Sequence, residues 1–524
     1  MTDPETVSNI GQAGWPDEKP IPPRYWWLKR ILAAIGVLVL ALACLRWWWG
    51  WEAHRRLQAE IERYRASGQL VYAYEFDEQL DAVSDDQNAA VLLERAMDGI
   101  TASTASGVYF TTFLDEPATF DTDMVAATEL MESNADILVL VRQARNRPQV
   151  AWSQRLAHRN VVFGFASSQR LLAKLLWFSA TFDYRTGNHA EAVDTMHDFL
   201  RFNEAVAAHP MLISTLVAWA CHSLGCSLIE EYGSDLELEG AQSETNVQLK
   251  PAHREHVERL IVELMDDKTP REALVRTFYG ERARYHDLLN SIRLGALFGT
   301  RLPKPTPWGR VTDFLKWPLL QLDVIRVARY DTLLAEAAMT PSWPTASARL
   351  PVNTRRLSLI REASRPFSEI GIPSDTRVLE LFFRHLAQRG MAATALAIRL
   401  FEVDNGRRPG SLSELVPKYL THVPADPFSP DGACMRYRPD AEEAVLYSVG
   451  ADGNDNGGIV ALTPDGRRDA SRSDRLFYLD GRPRDEEESG STGSGQTGED
   501  DQNVEDNEGN AEEDHAGQAE PQKR

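Results

Sequence analysis

The chain has 524 residues, 43% hydrophobic and 25% charged, a composition ordinary for a folded protein and large enough to bury an extensive core. Its 56 basic and 77 acidic residues give a formal charge of −21, so nucleic acid is not expected as a partner of the whole-protein field. Collagen-like, wholly disordered and disulfide-scaffold classes are excluded, the last by only four cysteines without a paired framework.

Residues 1–23 are polar and proline-rich, without apolar periodicity, and are predicted to be disordered. From Ile31 to Leu45 the sequence ILAAIGVLVLALACL carries no charge. Trp26, Trp27, Lys29 and Arg30 precede it, and Arg46, Trp47, Trp48, Trp49 and Trp51 follow. Indoles belong at headgroup level and terminal cations snorkel, so residues 24–51 are long enough to cross a hydrocarbon core of about 30 Å as one transmembrane helix. The competing reading is a cleaved or lipidated leader, with Ala41-Leu42-Ala43 as a small-x-small site before Cys44; Ala41 stands where a lipobox usually has Leu. Lys19, Arg24, Lys29 and Arg30 before the span balance Arg46, Arg55, Arg56, Arg63 and Arg65 after it, so charge alone does not orient the anchor. The expected address is the cell membrane, single-pass, with the bulk extracytoplasmic.

Residues 52–376 read as a helical body. The membrane helix is predicted to continue through Glu52–Arg65, an acidic aromatic stretch covers Tyr72–Asp86, and Asn88–Met97 is amphipathic. Apolar residues recur at three- and four-residue steps in Met124–Val141, Leu171–Tyr184, Ala190–Val206, Leu212–Ile229, His256–Met265 and Leu319–Ala338. Leu171–Tyr184, the stop at Gly187-Asn188 and the restart at His189 form an αα-hairpin of the tetratricopeptide kind. No second copy occurs at that period, so an irregular helical bundle is the default. Proline-rich segments at Pro303–Pro307 and Pro341–Pro351 mark loops, and an Ala-rich helix spans Val378–Val403.

Residues 377–482 form a separate α+β module in this reading. After the Ala-rich helix come Asp404-Asn405-Gly406, then Pro409, Leu412-Ser413-Glu414-Leu415-Val416, Pro424-Ala425-Asp426-Pro427, two short strands at Met435–Arg438 and Ala444–Val449, and Ser448-Val449-Gly450-Ala451-Asp452-Gly453. This order, over roughly residues 389–458, resembles the globular half of the major pseudopilin of type II secretion systems. The pilin processing motif is missing ahead of Ile31, so a fibre subunit is not implied. End to end, the chain resembles bacterial membrane-anchored proteins that join an anchor, an N-A-A helix, a helical body and this module, a family without an activity to carry over.

The resemblance implies calcium at the loop containing Ser448, Asp452 and Asp455. Asp452, Asn454 and Asn456 followed by Gly457 also match the first half of an EF-hand-like pattern, but Thr463 stands where the bidentate Glu belongs. An ordinary turn, in which Asp and Asn tolerate left-handed backbone, is the competing reading. Residues 483–524 are predicted disordered, since Asp485–Arg524 hold 14 acids and 2 bases.

No G-x-S-x-G, Walker, H-E-x-x-H or paired C-x-x-C sequence occurs. Cys221, His222 and Cys226 read as helix core, His253 and His256 supply too few ligands for a metal, and Trp177, Phe178, Phe182 and Tyr184 read as core. Asp77, Glu78, Asp81, Asp85 and Asp86 read as a solvated acidic run, and Glu281 and Arg282 as intrahelical ion pairs. No catalytic residue is named. The sequence favours a membrane-anchored protein acting through contacts with other cell-envelope or secretion-associated proteins over a membrane-bound hydrolase without a local motif.

Overall fold

The computed structural model describes residues 25–103, 124–157, 162–239, 249–293, 296–297, 300–301, 307–351, 366–439, 444–459 and 474–481. The proposed N-terminal and acidic disordered segments, and Thr463, lie outside these residues. The described chain is mainly helical, with a small three-stranded sheet near its end.

Helix α1 runs unbroken from Trp26 to Ala66. Every side chain from Trp26 to Leu45 is exposed, as a segment solvated by lipid would be. Beyond Arg46 a stripe at Gly50, Ala53, Leu57, Glu60, Ile61 and Tyr64 turns inward at three- and four-residue steps, the spacing of a helix packed along one seam. Its partner is α11, Pro307–Ala338. Arg46 stacks over Phe314 and donates to its carbonyl, Gly50 abuts Pro318, Gln321 donates to His54, and Arg329 donates to Glu60 at 2.9 Å. The hydrogen-bonded pairs are separated by 267 to 269 residues in sequence, a constant offset. A constant offset means that α1 and α11 run parallel.

The third member of this assembly is α10, Lys268–Arg293, which the sequence reading left unassigned. It delivers Arg282, fully buried, between the rings of Tyr64 and Tyr279 at 3.9 and 4.6 Å. The guanidinium donates to Gln69 Oε1 at 2.8 Å, Thr332 Oγ1 at 3.1 Å and the Leu70 carbonyl at 3.1 Å. The intrahelical pair expected for Arg282 is therefore not formed. Glu281 pairs instead with Arg284 at 2.9 Å and accepts the Leu212 amide at 2.8 Å. Arg282 is a cross-link from α10 to the C-terminal end of α1, and burial lowers its pKa. Gly280 lets α10 pass the Pro210 carbonyl, which an added Cβ would meet at 2.0 Å.

The acidic stretch after α1 folds as α2, Ala73–Asp81. Its Asp77 is buried and accepts the Leu156 and Ala157 amides at 2.7 and 3.0 Å, so the expected solvated run loses that member to a structural role. Helix α3 is Ala89–Ser103. The single helix read over Met124–Val141 is two, α4 (Met124–Ser133) and α5 (Ala135–Arg145), divided at buried Asn134, whose amide turns back to the Leu130 carbonyl.

Helices α6 (Val162–Arg185) and α7 (His189–Ala207) form the expected hairpin, turning through Gly187 at φ +79°. Helix α8, Leu212–Tyr232, packs on both. With a mean hydropathy of 1.6 it is apolar enough to span a bilayer, yet half of its apolar window is buried in the protein, as befits a central helix covered on several sides. Trp177, Phe178, Cys221, His222 and Cys226 are buried in this core, and Phe182 and Tyr184 pack against it.

Helices α9 (Arg254–Met265), α12 (Trp343–Arg349) and α13 (Pro366–Asn405) complete the body. The α10–α11 connection carries a small antiparallel pair, β1 (Ala296–Leu297) and β2 (Thr300–Arg301). The terminal sheet has order β3-β4-β5, all antiparallel: Arg436–Arg438, Val445–Ser448 and Arg475–Tyr478, the last unassigned from sequence. One hydrophobic core runs from Ala89 to Leu479, across the boundary read at 376/377. Ion pairs reinforce the continuity, Arg254 gripping Asp404 through both nitrogens at 2.8 and 2.9 Å, while Glu230 accepts the Tyr478 amide at 3.0 Å.

Truncating Arg282 to Ala strands its acceptors and is expected to cost about 3 kcal/mol. Denaturant unfolding of the detergent-solubilised chain checks this, and an unchanged midpoint would contradict the cross-link.

Candidate functional site

Helix α7 carries Glu191, Asp194 and Asp198 at spacings of three and four, so their carboxylates share one face. Helix α5 carries Arg142 and Arg145 one turn apart. Where the two helices meet, Arg142 donates to Asp198 at 2.8 Å and to Glu191 at 2.6 Å, and Arg145 approaches Asp198 at 3.1 Å. This network floors two hollows. One, of about 390 Å³, is lined by Met131, Leu138, Val139, Arg142, Asp183 and Glu191 among others. The second, of about 260 Å³, has Arg145, Arg147, Arg201 and Glu204 among its walls, and Asn146 and Asp198 border both. Volumes of this size fit a side chain or a small ligand.

Charge is divided between the hollows: carboxylates dominate the first and guanidinium groups the second. Asp183, 8% exposed at the end of α6, has its pKa pushed up to about 7 by burial and by the charge of Glu191, against the pull of Arg142. Burial also raises Asp198, opposed by Arg142 and Arg145. A buried carboxyl that titrates near neutrality inside a cleft can donate or accept a proton, or hold a cation that restores its charge.

The residues singled out for calcium lie elsewhere. The Ser448 hydroxyl is buried and donates to Asp426 at 2.6 Å. Asp426 also accepts the Val449 and Phe428 amides, both at 2.9 Å. Asp452 receives the backbone and side-chain nitrogens of Asn454. Asp455 pairs with Arg436 at 2.7 Å and accepts from Tyr447, and the Asn456 amide donates to Asp474. A guanidinium on Asp455 and a hydroxyl committed to Asp426 do not fit a hard-cation donor set, which needs free oxygens converging on one point. Among the described residues no group of three or more His, Cys, Asp or Glu is placed to hold a metal ion.

His222 and Cys226 contact each other at 3.2 Å in the core, where burial pushes both Cys221 and Cys226 thiols up to about 12 and lowers His222. His253 and His256 diverge to Glu239 and Asp194. The α5–α7 groove was missed from sequence, although the acid stripe on α7 and the two arginines on α5 were visible signals; only the fold sets them face to face.

Because the folded Asp183 carboxyl titrates well above its ordinary 3.8, the wild type releases its proton later folded than unfolded and loses stability as pH rises from about 4 to about 7. Asp183→Asn is expected to leave the melting temperature nearly unchanged at pH 4 and raise it at pH 8; an identical pH profile for both proteins would contradict the burial of this acid. The chain matches no protein-family profile, no curated protein and no solved structure.

Proposed function

We propose that this chain is a membrane-anchored, extracytoplasmic protein that holds other cell-envelope or secretion-associated proteins against the bilayer by direct contact, with the α5–α7 groove as the contact site. Support for the anchor comes from the exposed apolar run of α1, whose mean hydropathy reaches 2.3. The observation that carries the binding reading is the division of charge in the groove, acidic beside Glu191 and basic beside Arg145 and Arg201. Such a surface suits an extended segment carrying a basic and then an acidic side chain, because opposite fields specify register as well as affinity. The motif order in residues 389–458 supports a pseudopilin-like reading of the C-terminal region, and the α6–α7 hairpin supports a tetratricopeptide-like one. Calcium enters no step of this proposal.

One observation favours a second reading. Asp183, with a pKa near 7 beside Glu191, has the property required of a general acid in a hydrolase. The two readings separate on Asp183→Asn, which removes a proton donor but keeps the groove's shape.

Short synthetic peptides varying the placement of Lys and Glu, titrated against the full chain in detergent, test the proposal. Peptides bearing both signs are expected to bind best, and Glu191→Gln to weaken them about tenfold, or about 1.4 kcal/mol. Binding indifferent to peptide charge and to Glu191 would overturn the contact reading. Turnover of ester, phosphate, peptide or glycoside substrates, abolished by Asp183→Asn, would establish the second one.

A further inference from the structure

We infer that the first turns of α11 enter the membrane beside α1, giving the body a second lipid contact. The inference rests on the reading of α1 as a membrane helix, and continuity with that helix carries it. The parallel register fixes the height of each α11 residue against α1, with Phe314 level with Arg46 and Gln321 level with His54. The same offset sets Leu315 level with Trp47 and, one turn toward the N-terminus, Val311 level with Ala43, inside the apolar run. At a rise of about 1.5 Å per residue, Val311 lies about 6 Å deeper than Leu315.

The side chains agree with that depth. Residues 311–316 are all exposed, in contrast to the buried and half-buried run from Trp317 to Ile325. Val311, Phe314 and Leu315 are 48%, 60% and 50% exposed, and they fall on one face at i, i+3 and i+4. Thr312, Asp313 and Lys316 occupy the opposite face. Such a division suits a helix end that dips into the headgroup and acyl boundary along α1, its apolar side chains entering the acyl region while Thr312, Asp313 and Lys316 reach the headgroups. In water these three large apolar side chains would stay solvated at the height of the exposed Trp47 and Trp48, a level at which phospholipid is the matching partner. Two attachments at one level restrict rotation of the body about the α1 axis, so the groove would face the bilayer in a fixed direction.

Environment-sensitive fluorophores on single cysteines test this in the full chain reconstituted into phospholipid vesicles, with Cys44→Ser and Cys434→Ser removing the exposed native thiols. The reporters are Leu38→Cys on α1, Val311→Cys on α11 and Met339→Cys just past the far end of α11, all at exposed positions. Nitroxide-bearing lipids quench fluorophores that touch the bilayer. The inference expects Leu38→Cys and Val311→Cys to be quenched several-fold more than Met339→Cys. Quenching at Leu38→Cys with Val311→Cys behaving like Met339→Cys would overturn the α11 contact and leave the anchor standing. Absence of quenching at Leu38→Cys would overturn the anchor and the inference together.

Discussion

The placement of the apolar run of α1 relative to the body depends on the seam between the C-terminal half of α1 and α11. A helix that merely tethered a domain would end in a flexible linker, and the body would tumble. Here the helix continues without a break from the apolar run into the protein core, burying Ala53, Leu57, Ile61 and Tyr64. Each large aliphatic side chain so buried contributes on the order of 2 kcal/mol. Arg282 then fixes the seam in rotation, because its guanidinium reaches the α1 side through the Tyr64 ring and the turn at Gln69 and Leu70, and α11 through Thr332. The Glu60–Arg329 pair adds a bond at the seam's edge. Burial raises the cost of misplacing the Arg282 charge far more than it raises the benefit of placing it correctly.

That rigidity gives the α5–α7 groove its meaning. Helices α5, α6 and α7 belong to the same hydrophobic core as α8 and α13, so the groove is carried on packed helices rather than on loops. Its charges are held by one another: Arg142 spans Asp198 and Glu191, and Asp183 beside them keeps its proton to near neutrality. A charged ligand would find donors and acceptors already positioned, and would exchange one set of ion pairs for another rather than ordering a mobile surface.

Local patterns gave most of the helices and little of the site. The α6–α7 hairpin was legible because Gly187-Asn188 interrupts two apolar repeats, and α8 because it is apolar throughout. Helix α10 was passed over because its many charges mask the apolar positions Leu274, Phe278, Ala283 and Leu289, all of which are buried. Arg282 looked like a surface pair because its neighbours Glu281 and Arg284 are one; nothing within α10 tells that Tyr64 and Gln69, more than two hundred residues away, close over it. The groove was hidden for the same reason, since Arg142 and Asp198 lie 56 residues apart. The calcium reading took Ser448, Asp452 and Asp455 from the resemblance and Asp452, Asn454 and Asn456 from a loop pattern; what neither signals is that the fold brings Asp426 and Arg436 from outside the loop to engage Ser448 and Asp455.

The most direct test of a rigid junction between anchor and body is a distance across it. Nitroxides at Gln58 on α1 and Arg326 on α11 occupy exposed positions at the same height along the seam. Measured by double electron–electron resonance in the full chain in lipid nanodiscs, they are predicted to give one narrow distance distribution that broadens when Arg282 is replaced by Ala. A broad distribution in the wild type would contradict the account, because it would mean that α1 and the body move independently.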